Sequence, residues 1–298
     1  MVILVGLVIG FAAGRLLWVI GHDVFTQPLL ARQNYRGRSV PTAVGVLLCV
    51  SVLIVEAGRA LASAAGIGSA GPSSRWAFVI VALGFGFLGL IDDLMGNADQ
   101  RGFRGHLRAL RQGRLTTGLL KLLGGGAVAL IAVMGAAASA LPPPLPPSGV
   151  GRLVADAAVV ALAANLGNLF DRAPGRVIKI SSLAFILIAV SAIIGGATSD
   201  LVGVAVVMGT ALALMGGDLA ERLMLGDAGA NVLGATLGMS VVVVTGTPAR
   251  TVVLMGLVGL NLVAEAISFS RVIDSVGLLR RMDRVGRRPW HEPPRPNR

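Results

Sequence analysis

Acidic residues are scarce in this chain, and charge in general is scarce too. Only 15 of the 298 residues are Asp or Glu, and all charged residues together make up 14% of the sequence. A soluble domain contains about 25% charged residues, so this chain has too little polar surface to be one. Its hydrophobic content of 54% and its mean hydropathy of +0.79 are typical of an integral membrane protein.

Residues that bind zinc or act as activated nucleophiles are also few. Cys49 is the single cysteine, which excludes an intrachain disulfide and a cysteine metal site. The three histidines, His22, His106 and His291, are scattered. We find no Ser/His/Asp arrangement, no Walker loop and no zinc spacing. The chemistry that remains is based on carboxylates, anions and a hard metal ion.

Apolar runs predict an all-α, polytopic transmembrane helical bundle with about nine spans of roughly 20 residues each. The predicted spans are residues 1–20, 42–65, 76–94, 115–141, 153–170, 178–197, 201–217, 228–246 and 251–270. The sequence shows no internal repeat and no soluble domain. We therefore predict one transmembrane domain over residues 1–270, followed by a basic cytoplasmic tail over residues 271–298.

Positive charge lies mostly on one side of these spans. A net charge of +11 could indicate nucleic acid binding, but the arginines concentrate in segments 21–41, 95–114, 171–177, 218–227 and 271–298. The positive-inside rule then predicts an outside N-terminus and a cytoplasmic C-terminus. Most arginines are explained by this topology, so we expect no nucleic acid partner. Alanine-rich, arginine-over-lysine usage suggests a high-GC bacterium and hence its cytoplasmic membrane.

Several of the few acidic residues lie at the ends of spans. Asp92 and Asp93 close the third span, Asp171 follows the fifth, and Asp227 opens the eighth. A carboxylate at the edge of a span is costly unless water or a cation compensates it, which makes each one a functional candidate. All four fall on the predicted cytoplasmic side. This pattern indicates a polar active site at the membrane surface.

Asn165, Asn168 and Asp171 are spaced three residues apart and share one broad face of a helix. Two amides and a carboxylate suit a hydrated Mg²⁺, a sugar or a base. Hydrogen bonding between helices explains the two amides equally well. Asp227 has two similar alternatives: it is either the N-cap of a helix or a metal ligand beside a glycine backbone that lets phosphate approach.

Asp92 and Asp93 are neighbours and repel one another, and a nearby metal ion or arginine would relieve this. One carboxylate could bind Mg²⁺ while the other abstracts a proton. Five arginines in the following loop, residues 101–114, are spaced to form a basic helical face for lipid or nucleotide phosphate. Lys121 lies about one turn inside the next span, where an ammonium group needs a carboxylate or an anionic ligand.

Five motifs together resemble the polyprenyl-phosphate N-acetylhexosamine-1-phosphate transferases, a superfamily that includes phospho-N-acetylmuramoyl-pentapeptide transferase. In order, they are PTAVG, GLIDD, LTTGLLK, NLGNLFD and LGDAGANVLGA. They extend over roughly residues 28–270. The resemblance implies transfer of a sugar 1-phosphate from a UDP-sugar to polyprenyl phosphate, with release of UMP, in cell-envelope polysaccharide or peptidoglycan synthesis. It also makes a homodimer plausible.

The resemblance implies roles for individual residues. Asp227 would bind Mg²⁺, together with Asp93. Asp92 and Asp93 would position or deprotonate the lipid phosphate, and Lys121 would neutralise phosphate charge. Asp171 would complete the catalytic site. The residues expected to bind the nucleotide-sugar are Asn165, Asn168, Arg172 and Arg176.

The chain departs from this superfamily in three places. The loop from Asp171 to Arg176 lacks a second acidic residue and contains two arginines instead. The histidine-rich loop and the tenth span of the relatives are missing, and Arg36 and Arg38 flank the place of a lysine before Pro41. A non-catalytic protein that binds polyprenyl phosphate or another anionic lipid is therefore the alternative. An ion-coupled transporter is disfavoured, because the carboxylates lie at helix ends rather than at the bilayer midplane.

Overall fold

The computed structural model describes residues 1–34, 36–68, 71–95, 116–137 and 147–287. Helices make up 81% of the structure, and two three-residue strands form its one small sheet within these ranges. The all-α prediction is confirmed. The predicted basic face of residues 101–114 lies outside the described residues, and so do residues 288–298 of the tail.

Over the described ranges, nine helices are long and apolar enough to cross a membrane. They are α1 (Val2–Phe25), α2 (Val46–Ala64), α3 (Arg75–Met95), α4 (Thr117–Ala137), α5 (Pro147–Phe170), α6 (Arg176–Gly195), α7 (Val202–Leu219), α8 (Gly226–Val244) and α9 (Thr247–Ala266). Each coincides with a predicted span. The agreement follows from the length of the apolar runs, which exceed what a buried helix of a soluble protein needs.

Helix α8 lies at the centre of the bundle. Its residues from Ala228 to Val242 are all buried, and it packs against α3, α5 and α6. Helix α9, in contrast, packs mainly on α5 and buries only Leu257. Because lipid is as apolar as these side chains, an exposed apolar helix at the periphery carries no penalty in a membrane. The bundle is therefore organised around α8, whose first turn carries Asp227.

Glycines allow helices to approach closely. A Cβ atom at Gly10 of α1 would lie 2.2 Å from the carbonyl oxygen of Val206 in α7, and one at Gly209 would lie 2.1 Å from the carbonyl oxygen of Leu7. A Cβ atom at Gly234 of α8 would lie 2.1 Å from the carbonyl oxygen of Ala163 in α5. Such contacts are the small-residue packing expected of helices in lipid.

A β-hairpin follows α1, with strand β1 (Ala31–Gln33) antiparallel to β2 (Ser39–Pro41). Arg32 of the hairpin donates a hydrogen bond to the carbonyl oxygen of Leu94, at the end of α3, at 3.1 Å. Beyond the hairpin, the backbone N–H of Gly45 donates to the carbonyl oxygen of Leu225 at 2.9 Å. The segment PTAVG is thereby held against the start of α8.

Two short helices, α10 (Phe269–Ser275) and α11 (Gly277–Arg284), follow α9. The sequence predicted only a basic tail from residue 271, so these helices are a finding of the structure. They are docked at the end of the bundle where α3 and α5 finish and α4, α6 and α8 begin. We call this the carboxylate end, because Asp92, Asp171 and Asp227 lie there.

Candidate functional site

Three charged side chains from three helices meet at the carboxylate end. The ammonium group of Lys121 on α4 donates to Oδ2 of Asp92 on α3 at 2.7 Å, and it also contacts Oδ2 of Asp227 on α8. The side chains of Asp92, Lys121 and Asp227 are 26%, 19% and 23% exposed. They are thus partly shielded from solvent, yet a ligand can still reach them. Lys121 points toward the carboxylates, as predicted.

Asp93 is directed at the backbone of α8. Its Oδ1 accepts a hydrogen bond from the N–H of Asp227 at 2.9 Å, and its Oδ2 accepts one from the N–H of Ala228 at 3.0 Å. A carboxylate in this position satisfies two unpaired N–H groups and faces the positive end of the helix dipole. Asp93 therefore caps α8, and the Asp227 side chain is left to bind Lys121.

Gly226 makes this cap possible. Its φ of +69° is in the left-handed region, and a Cβ atom there would lie 2.5 Å from Oδ2 of Asp93. Glycine adopts this backbone conformation without steric cost, and it leaves room for the carboxylate. The sequence left two alternatives for Asp227, an N-cap or a metal ligand. The structure shows that the capping carboxylate of α8 is Asp93 rather than Asp227.

The two asparagines of the polar triplet, Asn165 and Asn168, bind different partners. Asn168 donates to Oδ2 of Asp227 at 3.1 Å and so belongs to the carboxylate group. Asn165 donates to the Oδ1 of Asn261 on α9 at 2.6 Å. The structure therefore brings Asn168, but not Asn165, to the other predicted site residues. Hydrogen bonding between helices, one of the two alternatives, describes Asn165.

Asp171 lies just beyond α5, and its carboxylate accepts no hydrogen bond from the described residues. Burial, together with the negative charges of Asp218, Asp227 and Asp93, raises the pKa of Asp171 well above its ordinary value. The nearby Arg172 guanidinium offsets only part of this effect. The charged form of this carboxylate is therefore disfavoured in the folded protein.

Asp218 is a member of this group that the sequence analysis missed. It is 5% exposed at the end of α7, and its Oδ2 accepts a hydrogen bond from the N–H of Gly175 at 2.7 Å. That bond fixes the loop between α5 and α6, next to Asp171. An acidic residue at the end of the seventh span is the same signal that identified Asp92 and Asp171, and it could have been used here.

Arg172 and Arg176 lie in different environments. Arg172 is exposed beside Asp171. Arg176 is buried, and its guanidinium forms a bidentate ion pair with Asp283 of α11 at 2.9 and 3.0 Å. It also donates to Oγ of Ser270 on α10 at 2.8 Å. Arg176 thus holds the C-terminal helices, and its nucleotide-binding role stays a prediction.

Among the described residues, no three His, Cys, Asp or Glu side chains are grouped as a preformed metal site. The oxygen donors are nevertheless of the type that Mg²⁺ takes. Mg²⁺ is commonly held by one or two carboxylates together with substrate phosphates, so it needs no site made wholly of protein ligands. Asp92 and Asp227 already converge on a cation, the Lys121 ammonium. The carboxylate oxygens of Asp92 and Asp227 are therefore the ones in this group that could hold a magnesium ion.

The fold and the site define a helical bundle of multi-pass membrane type with an acidic centre at one end. No protein-family model matches this sequence, and a search of curated proteins found no match. Any assignment of function therefore depends on the residues and the geometry of this chain.

Proposed function

We propose that the protein transfers a sugar 1-phosphate, of the N-acetylhexosamine type, from a UDP-sugar to polyprenyl phosphate and releases UMP. The observation that supports this most strongly is the meeting of Asp92, Lys121, Asn168 and Asp227. They come from four helices, and Lys121 and Asp227 are 106 residues apart in sequence. A site with excess carboxylates and one ammonium group suits the binding of phosphates through a divalent cation.

Phosphoryl-type transfer requires positioning and charge neutralisation more than covalent chemistry. An oxygen of the lipid phosphate attacks the sugar-bearing phosphorus, and the bond from that phosphorus to the UMP oxygen breaks. Lys121 neutralises phosphate charge, and Asp227 with Asp92 provides oxygen ligands. Asp93 orients the first turn of α8, and Asn168 orients the Asp227 carboxylate. Mg²⁺, when bound, would supply further neutralisation of the pyrophosphate.

The location of the site suits both substrates. It lies at the ends of apolar helices, where a soluble nucleotide-sugar arrives from water and a prenyl chain remains in the bilayer. From the placement of the arginines we propose that this end faces the cytoplasm, and from the alanine-rich, arginine-over-lysine composition that the membrane is a bacterial cytoplasmic membrane. The lipid bilayer is therefore a partner in the reaction as well as the solvent of the fold.

The test is release of UMP by the purified protein with Mg²⁺, undecaprenyl phosphate and a panel of UDP-sugars. We expect UMP with one class of sugar, and its loss in Asp227→Asn. Asp23→Asn is the matched control, because Asp23 is fully exposed at the end of α1 and far in sequence from the site. No UMP across the panel, from folded protein that binds the lipid, would instead support the non-catalytic alternative.

A further inference from the structure

Helix α11 is docked on the bundle in an unusual way. It buries its aspartate and exposes its apolar side chains: Asp283 is 8% exposed, whereas Leu278 and Met282 are 68% and 55% exposed, and Val285, just beyond the helix, is 65% exposed. A helix packed on a core in water shows the reverse pattern. The described residues therefore do not cover the apolar side of α11. We expect an apolar partner to cover it.

The docking contacts hold the C-terminal end of α11. Asp283 pairs with Arg176, the first residue of α6, and also with Arg287. The ammonium group of Lys179, three residues further along α6, donates to the carbonyl oxygens of Asp283 and Val285 at 2.7 and 2.6 Å. A cation at these carbonyls compensates the negative end of the α11 dipole. The orientation of α11 is thus determined by polar contacts.

The position of these helices is level with the ends of the spans. Phe269 of α10 stacks on Phe170, the last residue of α5, with ring centroids 4.9 Å apart. Arg176 and Lys179 belong to the first turn of α6. In a membrane, the ends of apolar spans lie near the boundary between acyl chains and headgroups. Helices α10 and α11 therefore lie at the depth where amphipathic helices bind.

The opposite side of α11 is basic. At about 100° per residue, Leu278, Leu279 and Met282 share one arc of the helix, while three arginines occupy the other side. These arginines, Arg280, Arg281 and Arg284, are all exposed. An apolar arc next to exposed arginines is the composition of a helix that lies on an anionic lipid surface.

We propose that α10 and α11 form a lipid-binding surface, with the apolar arc of α11 among the acyl chains and its arginines on phosphates of anionic headgroups. Val272 of α10 and Val276, which lies between the two helices, are further exposed apolar side chains of this segment. Charge complementarity selects the bilayer as the occupant, rather than a second copy of the chain, whose matching surface would bring like charges together. The inference concerns the bilayer alone and does not depend on the proposed transferase activity.

The test places an environment-sensitive fluorophore on cysteine in the full-length protein, on a Cys49→Ala background. Met282→Cys probes the apolar arc, and Arg280→Cys is the matched probe on the basic side of the same helix. The protein is reconstituted in nanodiscs of phosphatidylcholine with or without phosphatidylglycerol, and quenching by lipids with nitroxide-labelled acyl chains is measured. We expect stronger quenching at position 282 than at position 280.

Phosphatidylglycerol should increase quenching at position 282, and the triple change Arg280→Gln, Arg281→Gln and Arg284→Gln should remove that increase. Near an anionic membrane each arginine contributes about fivefold in affinity, whereas Arg152→Gln, at the opposite end of the bundle, should have no effect. Equal quenching at positions 280 and 282 would overturn the proposal. So would a blue-shifted but unquenched probe at position 282, because that result means that protein covers the apolar arc.

Discussion

At the scale of single residues, five aspartates are grouped at the carboxylate end, and the ammonium group of Lys121 binds two of them. Asp92 and Asp227 bind Lys121, and Asp93 and Asp218 accept hydrogen bonds from backbone N–H groups. The carboxylate of Asp171 accepts no hydrogen bond from the described residues. Such an arrangement is unfavourable for folding, and its persistence is typical of sites where function outweighs stability. Substitutions here should therefore separate stability from activity.

Lys121→Met should lower stability and activity together. The substitution leaves two partly buried carboxylates close to one another without a positive charge. An unpaired buried polar group costs about 1–3 kcal/mol, and a charged group costs more. Lys121→Arg keeps the charge and is the matched control. Thermal unfolding in detergent measures the effect, and added Mg²⁺ should restore part of the lost stability of Lys121→Met. An unchanged midpoint would mean that Lys121 is not held between these carboxylates.

Asp171→Asn should stabilise the protein at neutral pH. The folded state raises the pKa of Asp171 above its ordinary value of 3.8, so the folded state binds the proton more tightly than the unfolded state. Stability from this group is therefore present below the ordinary pKa and is lost as pH rises through the folded pKa.

The asparagine variant removes this dependence. We expect its unfolding midpoint to exceed that of the wild type by a few degrees near pH 7, and the two to converge toward pH 4. The same variant should lose UMP release if Asp171 belongs to the catalytic site. A wild-type midpoint whose pH slope survives in Asp171→Asn would assign the slope to another group.

The predictability of the site differed from residue to residue. Span-end position identified Asp92, Asp93, Asp171 and Asp227, because a carboxylate near lipid is unusual by itself. Their individual contacts were not predictable, since the Asp93 cap on α8 joins residues 134 positions apart. The pairing of Arg176 with Asp283 joins residues 107 positions apart. Contacts of this kind depend on how helices pack, which a single sequence does not specify.

At the scale of elements, the contact between α3 and α8 determines the geometry of the site. A Cβ atom at Gly89 would lie 2.4 Å from the carbonyl oxygen of Asp227 and 2.5 Å from the N–H nitrogen of Ala228. Both neighbours are backbone atoms of the first turn of α8, so they cannot move without displacing Asp227. The small residue at position 89 therefore sets the distance between Asp92 and Asp227.

Gly89→Ala should destabilise the bundle by about 1–3 kcal/mol and impair activity, because overpacking forces the helices apart. Gly126→Ala on α4 is the matched control. A Cβ atom at Gly126 meets nothing within 4 Å, so that variant should unfold near the wild-type midpoint. Thermal unfolding and UMP release measure the two effects. Equal behaviour of the two variants would contradict the close contact of α3 with α8.

Asp283→Asn should release α10 and α11 from the bundle. Removing one partner of a buried ion pair costs about 3–5 kcal/mol. Here this cost lowers the stability of the docked helices rather than that of the whole bundle. Although burial opposes it, the contact with the Arg176 and Arg287 guanidinium groups lowers the pKa of Asp283. The carboxylate therefore stabilises docking above its ordinary pKa of 3.8, and that stabilisation is lost as pH falls through the lower folded pKa.

Limited trypsin digestion measures this release, because the arginines of α11 are cleavage sites. Cleavage there should be faster in Asp283→Asn than in the wild type. Asp274→Asn removes an exposed carboxylate from α10 and should leave the rate unchanged. If both variants are cleaved at the wild-type rate, the ion pair does not hold these helices.

The elements show where sequence reasoning works in this protein. Long apolar runs predicted the spans, because only a helix satisfies its backbone in lipid. The β1–β2 hairpin and the short helices α10 and α11 were missed. Three-residue strands carry too little alternation to be read, and the arginines of α11 obscure its apolar arc. The hairpin and these helices are held by contacts distant in sequence, at Leu94 and at Arg176.

At the scale of the whole molecule, we predict the orientation in the membrane from the placement of the arginines. Ser39, in the hairpin at the carboxylate end, and Ser73, just before α3 at the other end, are both exposed. On a Cys49→Ala background, a membrane-impermeant maleimide should label Ser73→Cys in intact cells. It should label Ser39→Cys only after the membrane is opened. The reverse pattern would place the carboxylate end outside the cytoplasm.

The central claim is that the carboxylate end transfers a sugar phosphate to a lipid phosphate. Its most direct test uses a UDP-sugar labelled at the phosphate that carries the sugar, with Mg²⁺ and polyprenyl phosphate. We predict that the label moves into the solvent-extractable lipid while unlabelled UMP appears, and that Asp227→Asn abolishes both. Label left on a nucleoside diphosphate or released as free phosphate, or no reaction with any donor, would contradict the account.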